Sequence, residues 1–149
     1  MNEVWFLIKA EELTLKMFII NYPCYECGEI LKVAYIENND GEDWFESRGG
    51  SHISASDFTA TEIKIAGYYN VIINSSYSNK VKSRYNACCC KHCKAFIGNY
   101  YIFTDIFVPA MSGTFDYIEV NLENLPPELE HFENDLKNEY KKLLTESTN

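Results

Sequence analysis

Short runs rich in apolar and β-branched residues recur along this chain, and the pattern predicts strands separated by polar turns. Glu3 to Lys9 and Thr14 to Tyr22 read as two strands joined by Ala10-Glu-Glu-Leu, and Ile30 to Glu37 reads as a third. Asn38-Asn-Asp-Gly41 is a turn signal, followed by a loop to Ser51 that holds Trp44, Phe45 and Gly49-Gly50. A helix capped by Ser54 or Ser56 is expected through Asp57, Phe58, Glu62 and Ile63, closed by Gly67. Strand patterning returns at Asn70 to Ser76, Lys80 to Asn86, Asn99 to Phe107 and Phe115 to Leu122.

After Leu125-Pro126-Pro127 the period changes to that of a helix. Leu129, Phe132, Leu136, Tyr140, Leu143 and Leu144 fall on one face over about residues 126–145, and Glu133 stands four before Lys137. Acidic residues crowd the start of this segment and lysines its end, as the helix dipole favours. Its stripe is broad enough to need burial, so docking on the rest of the domain is expected. The last five residues read as a frayed tail. Together the elements predict one α+β domain over 1–149, mainly antiparallel sheet with a C-terminal amphipathic helix packed on it.

Two cysteine pairs give that sheet a chemistry. Cys24-Tyr-Glu-Cys27, with Gly28 behind it, and Cys90-Lys-His-Cys93 each space two thiols so that both reach one ion from a single tight turn. Together they supply four thiolates for a tetrahedral structural Zn2+, and iron is the lesser choice for the same spacing. Gly28 suits the positive φ that often follows such a turn, whereas Lys94 makes the second turn less typical. Cys88 and Cys89 are expected as small residues on the strand leading into the second knuckle, with Cys89 or His92 as alternative ligands. Each knuckle is expected at the end of a strand.

Composition restricts the setting. With 46% hydrophobic and 15% aromatic residues, 149 residues can bury a substantial core. The acidic start and short apolar run of Met1 to Lys9 do not suit a signal peptide, and no apolar run approaches a membrane helix. A cytoplasmic protein with reduced cysteines is therefore expected, which disfavours disulfides.

Net charge is −9, from 22 acidic and 13 basic residues, which argues against wrapping nucleic acid and for a basic protein partner. Glu42, Asp43, Trp44, Phe45 and Glu46 combine acid with aromatic surface and are the candidate partner-binding residues, with Tyr68 and Tyr69 as further aromatic contacts. A small intracellular inhibitor or immunity protein against a basic toxin such as a nuclease is a concrete form of that reading. The alternative is a nucleic-acid-binding module using Lys80, Lys82, Arg84, Lys91 and Lys94, with Tyr77, Tyr85, Tyr100 or Tyr101 for stacking.

No enzyme is expected. Four paired cysteines leave no open position for substrate on a metal, and no phosphate loop or nucleophile elbow is present. Pro23-Cys24-x-x-Cys27 and His131-Phe-Glu133 match the two halves of the zinc deaminase signature in reversed order, a decoy rather than a site, and the lone loop residue His52 is given no role.

The run from Gly67 to Ala87, then Cys90 to Cys93, then Ala95 to Phe103 resembles small bacterial zinc-ribbon proteins with a split pair of knuckles, and Tyr22 to Val33 resembles their first half. Tyr77-Ser78, Asn86 and Gly98 belong to the resemblance, while Lys91 and Lys94 depart from the proline and glycine usual there. It implies zinc on Cys24, Cys27, Cys90 and Cys93. Such domains are largely uncharacterised, so it implies a site and a fold rather than an activity.

Overall fold

The computed structural model of the chain describes residues 15–38, 52–78, 82–98 and 102–147. The expected strand at Glu3 to Lys9, the acidic aromatic segment Glu42 to Glu46, and Lys80, Tyr100 and Tyr101 lie outside the described residues. Within them the chain is mixed α+β, and its antiparallel strands form two sheets.

The larger sheet has the order β3-β2-β1-β7, from β1 (Leu15–Pro23), β2 (Ile30–Asn38), β3 (His52–Ile53) and β7 (Tyr117–Asn121). The hairpin of β1 and β2 pairs in continuous register from Leu15 with Asn38 to Pro23 with Ile30, so the first cysteine knuckle forms its loop. On the other side of β1, Lys16 pairs with Asn121 and Ile20 with Tyr117. Met17, Phe18, Ile19 and Ile20 are all buried, so β1 is covered on both faces, as a central strand must be.

The smaller sheet has the order β4-β5-β6, from β4 (Ile72–Ser78), β5 (Ser83–Cys89) and β6 (Phe96–Ile97). Cys88 and Cys89 pair with Ile97 and Phe96, so the second knuckle is the loop of the β5–β6 hairpin. Lys82 has φ +54° just before β5, and the strand runs about three residues later than the expected Lys80 to Asn86. The sheets meet where β5 crosses β2, with the buried Cys88 Sγ 4.0 Å from the Ala34 carbonyl oxygen. Side chains of both sheets share one hydrophobic core.

Helix α1 (Ala60–Tyr68) begins later than expected, because Thr59 rather than Ser54 or Ser56 is its N-cap. Thr59 and Glu62 form a reciprocal capping box, and the serines precede only a short 3-10 turn, Ala55–Asp57. Gly67 does not close the helix. Asn70 does, at φ +71°, with Val71 N–H donating to Ala66 and Asn70 N–H to Gly67.

The strand expected from Asn99 to Phe107 is a π-helical turn, Ile102–Phe107, continuing into α2 (Val108–Met111). The β-rich composition misleads here, because the residues buried are Ile102, Ile106, Phe107 and Ala110, a helical spacing. Phe107 packs on Tyr35 and Phe18 of the larger sheet, with ring centroids 4.8 and 5.1 Å away.

The C-terminal segment starts with a 3-10 turn, Pro127–Phe132, and becomes α3 over Glu133–Ser147, so the helix starts after residue 126 and runs past 145. Leu129 and Leu136 are buried and Phe132 and Tyr140 half-buried, in keeping with the apolar stripe, and Lys137 and Glu133 are paired at 2.8 Å. The helix docks beside α1 through polar groups: Tyr140 O–H donates to Glu62 Oε2 at 2.6 Å, and Thr61 donates to Glu139 from both its backbone and its hydroxyl.

Candidate metal centre

Each knuckle is built by the same backbone hydrogen bonds. Cys24 N–H donates to Glu29 O at 2.8 Å and Gly28 N–H to Cys24 O at 2.9 Å. In the second, Cys90 N–H donates to Ala95 O at 2.7 Å and Lys94 N–H to Cys90 O at 3.0 Å. Gly28 at φ +80° and Lys94 at φ +71° occupy the same left-handed conformation, so the second turn has ordinary geometry despite its lysine. The two turns are equivalent.

Packing of β5 against β2 brings the turns together. Cys24, Cys27, Cys90 and Cys93 place their sulfurs within 4.8 Å of one another, with Cys24 3.5 Å from Cys93 and Cys27 3.7 Å from Cys90. These sulfurs are free thiols, far beyond the roughly 2.05 Å of a disulfide. Four sulfurs each about 2.3 Å from a tetrahedral ion stand about 3.8 Å apart, so the cluster fits such an ion with small adjustments. In each knuckle the first cysteine is buried and the second exposed.

The sulfurs sit in an uneven field. The Cys27 backbone N–H, outweighing burial, lowers the Cys24 thiol to about 7, with help from the Glu26 N–H and the Cys93 and Cys27 thiols. Cys27 receives the Glu29 N–H, which lowers it, but burial and the Cys90, Cys93 and Cys24 thiols push it up to about 12. Cys93 is likewise raised, the Ala95 N–H being outweighed by burial and the Cys24 and Cys90 thiols. One thiolate thus forms readily and discourages the others, a conflict that a bound cation removes by stabilising every thiolate at once.

The neighbouring thiols take no part in the cluster. Cys88 is fully buried, and burial pushes its thiol up to about 12; Cys89 is buried on β5 with its Sγ toward the Ala87 carbonyl. His92 is exposed, outside the cluster, and His131 stands on the 3-10 turn against the Phe132 ring. Neither histidine replaces a cysteine. Tyr25 crosses between the knuckles, its hydroxyl donating to Phe96 O at 3.4 Å.

The expected basic cluster is divided. Lys82 and Arg84 are exposed at the hairpin end of β5, and Lys91 and Lys94 at its knuckle end, with about 17 Å of strand between Arg84 and Cys89. Tyr68 is exposed and meets Tyr69 edge to face at 5.0 Å. Sequence reasoning missed a cavity beside this pair, lined also by Ile19, Lys32 and Ile118. Its signal was a lysine in a strand that is otherwise apolar, Ile30 to Ile36.

No helix among the described residues is long and apolar enough to cross a membrane. Compared with known protein families, curated proteins and solved structures, the chain matches none. The established site is therefore the chain's own: four cysteines able to hold a metal ion.

Proposed function

We propose that Cys24, Cys27, Cys90 and Cys93 hold a structural Zn2+, and that the protein is a small acidic module of the zinc-ribbon kind that acts by binding another protein. The observation that carries this reading is the closed set of four thiols from two equivalent turns. Thiolates favour zinc over hard cations, and with all four in place no position is left for a reacting water. The chemistry therefore serves stability, and function falls to the surface.

That surface belongs to a chain of net charge −9, which supports a basic partner and fast, salt-sensitive association. An inhibitor or immunity protein against a basic toxin such as a nuclease is the concrete form. Division of the basic residues between two ends of β5 weighs against the nucleic-acid alternative, since a polyanion is gripped best by a continuous stripe.

The test is capture with tagged, zinc-loaded protein at low salt, followed by elution in rising salt. One basic protein at near-equal stoichiometry, lost when Glu42, Asp43 and Glu46 are neutralised together, is the expected result. Nucleic acid in the eluate that disappears on neutralising Lys91 and Lys94 instead sinks the protein-partner reading.

A further inference from the structure

The larger sheet and the C-terminal end of α1 border an open cavity of about 260 Å³, and a smaller one of about 80 Å³ lies beside it toward the second knuckle. Lys32 and Asn70 line both. Tyr68, Tyr69, Tyr117 and Asp116 line only the larger, and Lys91 only the smaller. The two cavities thus form one groove with an aromatic end and a cationic end.

Lys32 is the central group. Its half-buried ammonium donates to Asn21 Oδ1 at 2.6 Å, and among the described residues Asn21 is its one acceptor. An ammonium carries three donors, so two remain for a ligand. Lys91 brings a second positive charge to the wall of the smaller cavity, where no acidic side chain among the described residues stands opposite. At the other end Tyr68, more than half exposed, leaves its ring accessible beside Tyr69. The aliphatic lining of Ile19 and Ile118 suits the edge of a flat ring, and the Asp116 carboxylate accepts amino or hydroxyl donors while repelling an anion.

We propose that this groove binds a mononucleotide, with the base against Tyr68 and Tyr69 and the phosphate between Lys32 and Lys91. Placement of the two lysines and of Asp116 fixes the orientation: the anion sits toward the knuckle and the ring away from it. The volume suits one nucleotide, and small pockets with an aromatic wall and a few convergent polar groups are how such ligands are held. This site is independent of the protein-partner reading, since neither Lys32 nor the tyrosine pair belongs to the acidic segment.

Isothermal titration of the full zinc-loaded chain tests it, using adenosine and cytidine monophosphates, the matching nucleosides, inorganic phosphate and a single-stranded oligonucleotide. One-to-one saturable binding of a monophosphate is expected below about 1 mM, about tenfold or more tighter than the nucleoside or phosphate alone. Lys32→Gln should weaken it about tenfold, and Tyr68→Ala, on an exposed ring, by a comparable factor. Lys91→Gln should weaken phosphate-bearing ligands only, with the zinc content unchanged as a control on the knuckle. Absence of saturation by any monophosphate overturns the proposal, as does equal binding of phosphate alone. Unchanged affinity in a folded Lys32→Gln or Tyr68→Ala protein overturns it too, and so does tight binding of the oligonucleotide alone.

Discussion

The two knuckles reach the same backbone geometry from different sequences, Cys-Tyr-Glu-Cys-Gly and Cys-Lys-His-Cys-Lys. The first follows a proline on the central hairpin of the larger sheet; the second follows two further cysteines on the middle strand of the smaller one. Both then turn through a left-handed residue, which costs glycine little and costs a lysine roughly 1–2 kcal/mol. Hydrogen bonding and sulfur spacing dictate the turn, and side-chain preference is overridden where they demand it.

If the knuckles are equivalent, losing either one should be equally damaging, and this is the largest effect expected. Cys24→Ser and Cys90→Ser should each abolish stoichiometric zinc and lower the melting temperature by about 10 °C or more, since structural zinc contributes on the order of 10 kcal/mol in small finger peptides. Metal analysis and thermal melts decide it, and a variant of one knuckle that keeps its zinc and its stability breaks the symmetry.

The strand leading into the second knuckle carries a thiol that responds to alkali. Burial raises the Cys88 thiol from its ordinary 9.0 to about 12, so the fold favours its neutral form. The stability this provides is fully present below pH 9 and is lost as pH rises from 9 toward 12. Cys88→Ala should flatten the decline of melting temperature over that window. An identical decline in the variant would trace alkaline loss elsewhere.

Next in size are substitutions at the left-handed residues, and their signs should be opposite. A Cβ at Gly28 meets nothing within 4 Å, so Gly28→Ala should cost only the backbone term, about 1–2 kcal/mol, or a few degrees of melting temperature. Lys94→Gly should stabilise by up to about 1 kcal/mol. Melts of the two zinc-loaded variants test the pair, and destabilisation by Lys94→Gly would mean that the lysine side chain supports the second turn.

The smallest effect concerns Tyr25, whose counterpart in the second knuckle is Lys91. Its bond to Phe96 is long and exposed, so Tyr25→Phe should change stability by only a few tenths of a kcal/mol. A loss above about 1 kcal/mol, read by denaturant titration, would make the cross-knuckle contact a real asymmetry.

The four-cysteine cluster was legible because ligand spacing is local and the thiol is unmistakable. Strands β1, β2 and β7 were legible for a related reason, being short runs rich in apolar and β-branched residues bounded by turn signals. What escaped depended on tertiary context. Ile102 to Phe107 has strand-forming residues whose buried positions follow a helical spacing, visible only once Tyr35 and Phe18 are there to receive Phe107. At α1, the Thr59–Glu62 capping box was written in the sequence, but two earlier serines competed for the same role. No sequence period could show that the strands divide into two sheets, or that the end of α1 stands over Lys32 to make a groove.

The pairing of β1 with β7, Lys16 against Asn121, has a consequence for the order of events during synthesis. A chain emerging from the ribosome presents the first knuckle and the β1–β2 hairpin long before their mates exist. The second pair of thiols arrives 63 positions after Cys27, and the strand that flanks β1 arrives later still. Until then β1 lacks one neighbour and an ion held by Cys24 and Cys27 has only half its shell. Such long-range closures are slow steps, so the four-sulfur set must await Cys90 and Cys93, and the sheet must await Tyr117 to Asn121.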